Sequence, residues 1–434
     1  MAQLYPFRGF RYNRRLIDDF NGIVAQPYDK TTPAMQEEYY ERSPYNVVRI
    51  TLNREKNSET DTLYPEAGAI FRRWIEQEVL IRDRQPSFYP YYQEYTFENR
   101  TQLQRGFIGL LDLKDTESSI IPHEHTLAAP KRDRFHLIRS IEGNEDLIYL
   151  LYNDRKHTVD RLMDQGIAGQ APQITVTDEY GVIHRVWAIT DPDLLTAMQD
   201  CMRNQDLFIA DGHHRFETSV MFMNECEHRG WRPAEPESFD KRMVACINSA
   251  SGVTILATHR LLRDLPSFDA AAFLNDITAH FTVERLSTAE ELWRKMKALH
   301  KNHVFGFYAG NSGSFRLLHA KSSALETGSE SEHGDAFRKL DVSILHSLIL
   351  ERHLGIDEHK LASQAYIDYE RERDTCIQKV NEGSHQAAFF LNPTTAEQMQ
   401  HIASAGQRMP QKSTDFFPKL LTGLVFMKMQ IEKP

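Results

Sequence analysis

No apolar run in the 434 residues approaches the roughly 20 needed to cross a bilayer as a helix; the longest candidate, residues 420–427, is far too short. The opening residues, Met-Ala-Gln-Leu-Tyr-Pro-Phe-Arg, lack the continuous apolar core of a secretory signal, so the expected location is cytoplasmic, with no membrane partner. Cysteine is scarce. Cys201, Cys226, Cys246 and Cys376 form no CxxC pair, which excludes a zinc knuckle and a disulfide scaffold. Positive charge is not in excess either: 51 Lys and Arg stand against 61 Asp and Glu, a formal charge of −10 that opposes non-specific association with nucleic acid. Also missing are GxxxxGK[ST], a GxGxxG after a strand, and a GxSxG elbow, which removes P-loop kinases, Rossmann dehydrogenases and ordinary α/β-hydrolases. There is no internal repeat.

What is present reads as a mixed α/β chain of more than one domain. Breakers at Pro6, Gly9, Pro27, Pro33 and Pro44 frame short apolar runs such as 47–52, a strand signal. Helical spacing follows over 63–78 and again over 128–141, with two antiparallel strands between them. A buried strand is expected over 146–152, a hairpin over 173–189, and a strand over 207–211 that stops at Gly212 and feeds a helix ending near Gly230. Beyond His259-Arg260 the pattern changes to helices over 268–281, 289–301, 340–353, 367–382 and 394–406, strands over 304–309, 315–320, 386–391 and 420–429, and a Ser/Gly/Glu-rich solvated loop over 322–335. The expected division is residues 1–258 and 259–434, the second part being an α/β domain of its own.

The strongest local signal is Ala210-Asp211-Gly212-His213-His214-Arg215 at the strand-to-helix junction. A helix start presents unpaired N–H groups and about half a positive charge, so it attracts anions. Gly212 lets the backbone approach a ligand, while His213, His214 and Arg215 supply donors for phosphate oxygens. Asp211, at the strand end, is placed to hold a divalent cation or orient a histidine. A second signal is His123-Glu124-His125-Thr126, followed by Lys131, Arg132 and Arg134. Glu124 at such a junction suits a general base for an alcohol, whereas the spacing is not the HExxH of a zinc helix. The third is Arg408-Met409-Pro410-Gln411-Lys412-Ser413-Thr414 with Lys419, a Pro-stiffened loop able to meet an anion, or simply a solvated loop anchored by Phe416 and Phe417.

Six blocks in one order, Pro6-Phe7-Arg8-Gly9, Pro27-Tyr28-Asp29, His123-Glu124 with Thr126, ADGHHR, Thr258-His259-Arg260 and MPQKST with Pro418-Lys419, resemble a large prokaryotic family catalogued as a domain of unknown function. Gln26 stands where that family is expected to carry a second proline. The DGHHR block is similar to the phosphate-binding turn of the ParB/sulfiredoxin-like fold, a group that includes kinases of free serine driven by ADP. The resemblance implies a ParB/sulfiredoxin-like core with insertions, the 173–189 hairpin among them, and a second α/β domain. It implies a phosphotransferase moving a phosphoryl group from pyrophosphate, ADP or ATP to a small hydroxyl acceptor, free L-serine first. Glu124, Asp211 and His213 would be catalytic. Gly212, His213, His214, Arg215, Lys131, Arg134 and Lys412 would bind phosphate, and Asp211 would hold Mg²⁺. Two alternatives stay open: a nucleotide- or anion-sensing regulator of ParB-like type, and a metal-dependent phosphohydrolase using His123, His125, Asp211 and His213. The partner expected is a small molecule, without nucleic acid; a homodimer is left open.

Overall fold

The computed structural model describes residues 3–54, 63–114, 119–124, 128–310, 313–326 and 334–434. His125 and Thr126 of the second motif, and 327–333 of the Ser/Gly/Glu-rich stretch, lie outside the described residues. The chain forms two compact units. The first comprises residues 1–122, 126–253 and 418–434; the second comprises 123–125 and 254–417. Among the described residues no helix is long and apolar enough to cross a membrane.

The first unit is built on a nine-stranded mixed sheet. One interior strand is Ile148–Tyr152, buried at every residue, which runs parallel to Lys241–Asn248 and antiparallel to Leu207–Asp211. Strands buried on both faces read as unbroken apolar runs, which is why this one is plain in the sequence. Leu207–Asp211 also pairs in parallel with Ile120–Ile121. On the other flank Lys241–Asn248 pairs with Arg100–Asp112, and the order continues through Tyr89–Phe97 to the hairpin Ile183–Val186 and Ile174–Thr177. Helices Thr158–Ile167 and Pro192–Met202 contribute Val159, Met163, Leu195, Met198 and Met202 to the core against Ile148, Leu150, Leu207 and Ile209. Helix His213–His228 packs on Ala128–Ile141, which packs on Leu63–Glu76.

Two expectations for this unit are corrected. The β-branched run 47–52 is no strand but a helical turn, Val48–Thr51. Its start is fixed by buried Asn46, which accepts from the Val48 N–H at 2.9 Å and donates to the carbonyls of Gly22 and Val24, so tertiary hydrogen bonds override strand propensity. Residues 420–429 form only the short strand Met427–Lys428, paired with Gly143–Asn144. The rest is buried irregular chain, held by backbone bonds of Thr422 to Ala25 and Phe426 to Phe10. An apolar composition records that burial, not a ladder.

The second unit carries a six-stranded antiparallel sheet in the order Phe281–Leu286, Phe315–Ala320, Val304–Tyr308, Ala387–Phe390, His259–Leu262 and Ile367–Glu370. Helices Ala289–Ala298 and Arg373–Asn381 bury Leu292, Met296, Cys376 and Val380 against it. The expected helix over 367–382 is therefore an edge strand followed by a shorter helix. The expected helix over 340–353 begins as Asp341–Ile344 and continues with π geometry over Leu345–His353.

Candidate functional site

The Leu207–Asp211 strand breaks register against Ile148–Tyr152 between Ile209 and Asp211, and such an irregularity re-aims the last side chain. Gly212 follows with φ +95°, a conformation that costs an L side chain strain. A Cβ here would also lie 3.0–3.2 Å from the Arg215 guanidinium, so the position needs glycine twice over. Helix His213–His228 starts at once, with the Phe216 N–H on the Gly212 carbonyl at 2.9 Å. The first-turn N–H groups of such a helix point outward along its axis, at the positive end of the dipole.

Charge is concentrated behind this turn. Asp211 Oδ2 accepts from Lys419 Nζ at 3.0 Å, and Oδ1 from Arg215 Nη2 at 3.4 Å. Burial alone would raise the Asp211 pKa; Lys419, Arg215 and Lys30 outweigh it and hold the carboxyl well below the usual carboxylate range. Arg215, itself buried, donates to the Leu147 carbonyl at 2.6 Å and faces Asp146 at 3.6 Å, and Asp146 is also bound by Arg242. Lys419 is placed by a buried amide relay: Gln93 donates to the Lys419 carbonyl, Gln104 to Gln93, and Tyr149 to Gln104.

The basic residues of helix Ala128–Ile141 sit beside this cluster. Lys131 is ion-paired with Glu217. Arg134 is buried over the Tyr28 ring at 4.1 Å and donates to the Thr51 carbonyl and to Asp133. A cavity of about 20 Å³, enough for one water, is lined by Arg134, Glu145, Asp146, Arg215, Thr218 and Arg242. Burial first, then Asp146, pushes the Glu145 carboxyl up to about 7. His214 goes the other way: burial, and secondarily Lys131, lower its pKa, so at neutral pH it offers hydrogen bonds rather than a charge.

Glu124 and His123 belong to the second unit, with the MPQKST loop. Glu124 bridges Met409 in parallel, and its carbonyl accepts from Arg408 at 3.2 Å. Its carboxylate accepts the Lys412 backbone N–H at 3.4 Å, while His123 Nε2 meets Thr414 Oγ1 at 2.9 Å. Lys412 thus meets Glu124 through its main chain, at φ +58°. Behind it, buried Arg260 stacks on Tyr369 and donates to the Lys412 carbonyl and to His346.

Asp211, Gly212, His213, His214, Arg215, Lys131 and Arg134 therefore belong to the first unit, with Lys419, whereas Glu124 and Lys412 are grouped in the second. Sequence reasoning passed over Lys30, Asp146 and Arg242. The available signal was an Asp and an Arg directly before the apolar runs 147–152 and 243–247, where a charge must be paired. A metal held by the protein alone does not fit this cluster. Both oxygens of Asp211 face cations, and among the described residues no three carboxylate, imidazole or thiol groups converge. The expected Mg²⁺ on Asp211 meets a carboxylate already balanced.

No curated protein matches the chain. Among solved structures it is similar to a conserved hypothetical protein from Pyrococcus furiosus, at 13% identity over 72% of this chain and 91% of that one, with a TM-score of 0.34. It is also similar to a free serine kinase in complex with AMP, at 12% identity over 71% and 86%, TM-score 0.35. A third is SbnI with a C-terminal truncation from Staphylococcus aureus, at 11% identity over 73% and 85%, TM-score 0.34. The family described as "Protein of unknown function (DUF1015)" matches residues 4–343, and the chain belongs to that family.

Proposed function

We propose that the chain is a phosphotransferase that holds the phosphoryl donor, pyrophosphate or ADP or ATP, at the start of helix His213–His228. The observation that carries this reading is the ionised Asp211 fixed between Lys419 and Arg215 directly behind a left-handed glycine and a helix start. A carboxylate spent internally in this way fixes the direction of two cations. Arginine, lysine and first-turn N–H groups are the donors that recognise phosphate. In a chain of net charge −10, Lys30, Lys131, Arg134, Arg215, Arg242 and Lys419 gather around one turn and offset the carboxylates of Asp29, Asp133, Asp146, Asp211 and Glu217 there.

The reaction would be positioning and charge neutralisation. The acceptor hydroxyl oxygen forms a bond to the transferred phosphorus, the bond from that phosphorus to the leaving phosphate oxygen breaks, and the hydroxyl proton goes to a base. Glu124 keeps the role of that base in this proposal, supported by its place in the HEHT motif, and free L-serine is the first acceptor to try. The ParB/sulfiredoxin-like core belongs to the same proposal. The experiment is incubation of purified protein with serine, Mg²⁺ and, separately, pyrophosphate, ADP and ATP, with phosphoserine followed by mass spectrometry. Product with one donor is expected. No product with any donor rejects serine, and a fully active Glu124→Gln enzyme rejects the base.

A further inference from the structure

The second unit contains a cavity of about 420 Å³ that no part of the phosphoryl-transfer reading uses. That volume lies in the range of about 300–1,000 Å³ typical of small-molecule sites. One wall is the π-helical stretch Leu345–His353 with the turn before it, another is Arg408-Met409-Pro410-Gln411, and Tyr369 closes a third side. π geometry is rare and recurs at functional sites.

The polar groups are sorted by depth. Glu351, Glu358, Arg352 and Ser347 are exposed, at the rim, whereas the partly or fully buried charged and polar lining contains no carboxylate. Ser343 is only 6% exposed and its hydroxyl has no hydrogen-bond partner among the described residues. His346 Nε2 lies 3.3 Å from Arg260 Nη2. Arginine can only donate, so Nε2 accepts and the ring proton sits on Nδ1. Burial and Arg260 lower the His346 pKa well below its ordinary value, which keeps the ring in that neutral, Nδ1–H form. Arg408 uses Nη1 on the Glu124 carbonyl and has further N–H donors in its fork. The interior therefore offers donors and cations, set in a wall of Ile344, Leu348, Ile356 and Met409.

We propose that this cavity binds an amphiphilic organic anion, a carboxylate on an apolar body, with its head toward Arg408, His346 and Ser343 and its body against the aliphatic wall. A neutral hydroxyl head of the same shape offers fewer acceptor sites and no charge to Arg408, and a cationic head would be repelled.

The test is isothermal titration calorimetry of the full chain with octanoate and with octan-1-ol, which share the body and differ in the head. Octanoate is expected to bind at one site per chain, about tenfold or more tightly than the alcohol, the scale of a charge-assisted hydrogen bond. Leu348→Trp, which fills the cavity, should abolish both. Arg408→Gln should reduce the preference for octanoate to about threefold or less while leaving octan-1-ol binding as it was. Absence of octanoate binding at millimolar concentration, equal affinity for the two probes, or a preference unchanged in Arg408→Gln each overturns the proposal. The last of these decides it even if Leu348→Trp does not fold. None of the outcomes depends on phosphoryl transfer.

Discussion

Lys419→Met is the most direct perturbation of the anion floor, because it keeps the length of the side chain and removes one charge. At the observed 3.0 Å, the attraction between Lys419 and Asp211 is roughly 5 kcal/mol at an effective dielectric of about 20. Part of it is offset by the desolvation of a lysine that is 9% exposed, a penalty the methionine does not carry. Asp211 retains Arg215 at 3.4 Å. The expected net loss is therefore about 3 kcal/mol, toward the lower end of the range for breaking a buried pair. A double-mutant cycle with Asp211→Asn, read by urea unfolding, should give a coupling of about 2–3 kcal/mol at pH 7. The pH dependence is signed. Asp211 titrates well below its ordinary value in the folded protein, so its contribution is full above the unfolded pKa of about 3.9 and is lost as pH falls toward the folded one. At pH 3 the stability of the wild type relative to Asp211→Asn should already have dropped by about 1 kcal/mol, through protonation of Asp211 in the unfolded chain, while the coupling to Lys419 persists. A coupling under about 0.5 kcal/mol at pH 7, or a stability difference between wild type and Asp211→Asn that is equal at pH 7 and pH 3, refutes the argument that these two groups hold each other ionised.

Gly212→Ala should cost about 1–3 kcal/mol, through the positive φ and the displaced Arg215, and should weaken pyrophosphate binding in calorimetry in parallel; unchanged binding separates the turn from the donor. Glu145→Gln should make stability flatter between about pH 4 and 7. The wild-type carboxyl binds its proton up to about 7 in the folded state but only to about 4.3 unfolded, so wild-type stability falls as pH rises through that window, by up to about 3 kcal/mol. Parallel unfolding curves for the two proteins would contradict it. Arg242→Met leaves Asp146 with Arg215 at 3.6 Å as its remaining cation of that pair and should lower stability by about 3 kcal/mol in thermal or urea unfolding.

The strand-turn-helix at Gly212 was legible because every level of the sequence agrees there: an apolar strand, a glycine at the one point of positive φ, and a helix composition after it. The 173–189 hairpin was legible for the same reason, its strands lying at Ile174–Thr177 and Ile183–Val186. The turn at Val48–Thr51 was hidden, since its conformation is decided by what Asn46 reaches in residues 22 and 24. The helix read over 367–382 misled because apolar spacing across 367–380 mixes a two-residue period with a helical one, and only pairing with His259–Leu262 separates them. Within the site, the residues that recognise charge could be named from type and spacing, but their partners could not. Asp146, Arg242 and Lys419 lie far apart in the chain, and a buried ion pair is written in no local pattern.

The pair formed by Asp211 and Lys419 joins residues 208 positions apart, and between them the chain leaves the first unit at Val253 and rejoins it at Pro418. During synthesis the strand, the glycine turn and the helix after it emerge long before the lysine that balances their carboxylate. Through that interval Asp211 must hydrate, protonate or lean on Arg215 and Lys30, and the sheet that contains it still lacks the segment that hydrogen-bonds to Gln93 and Tyr91. A nascent chain stalled after Val253 would thus display the DGHHR turn with Arg215 and Lys30 beside Asp211 but without Lys419. The last cation of the site would then arrive late, at the step that threads the final segment home, and not when the motif itself is made.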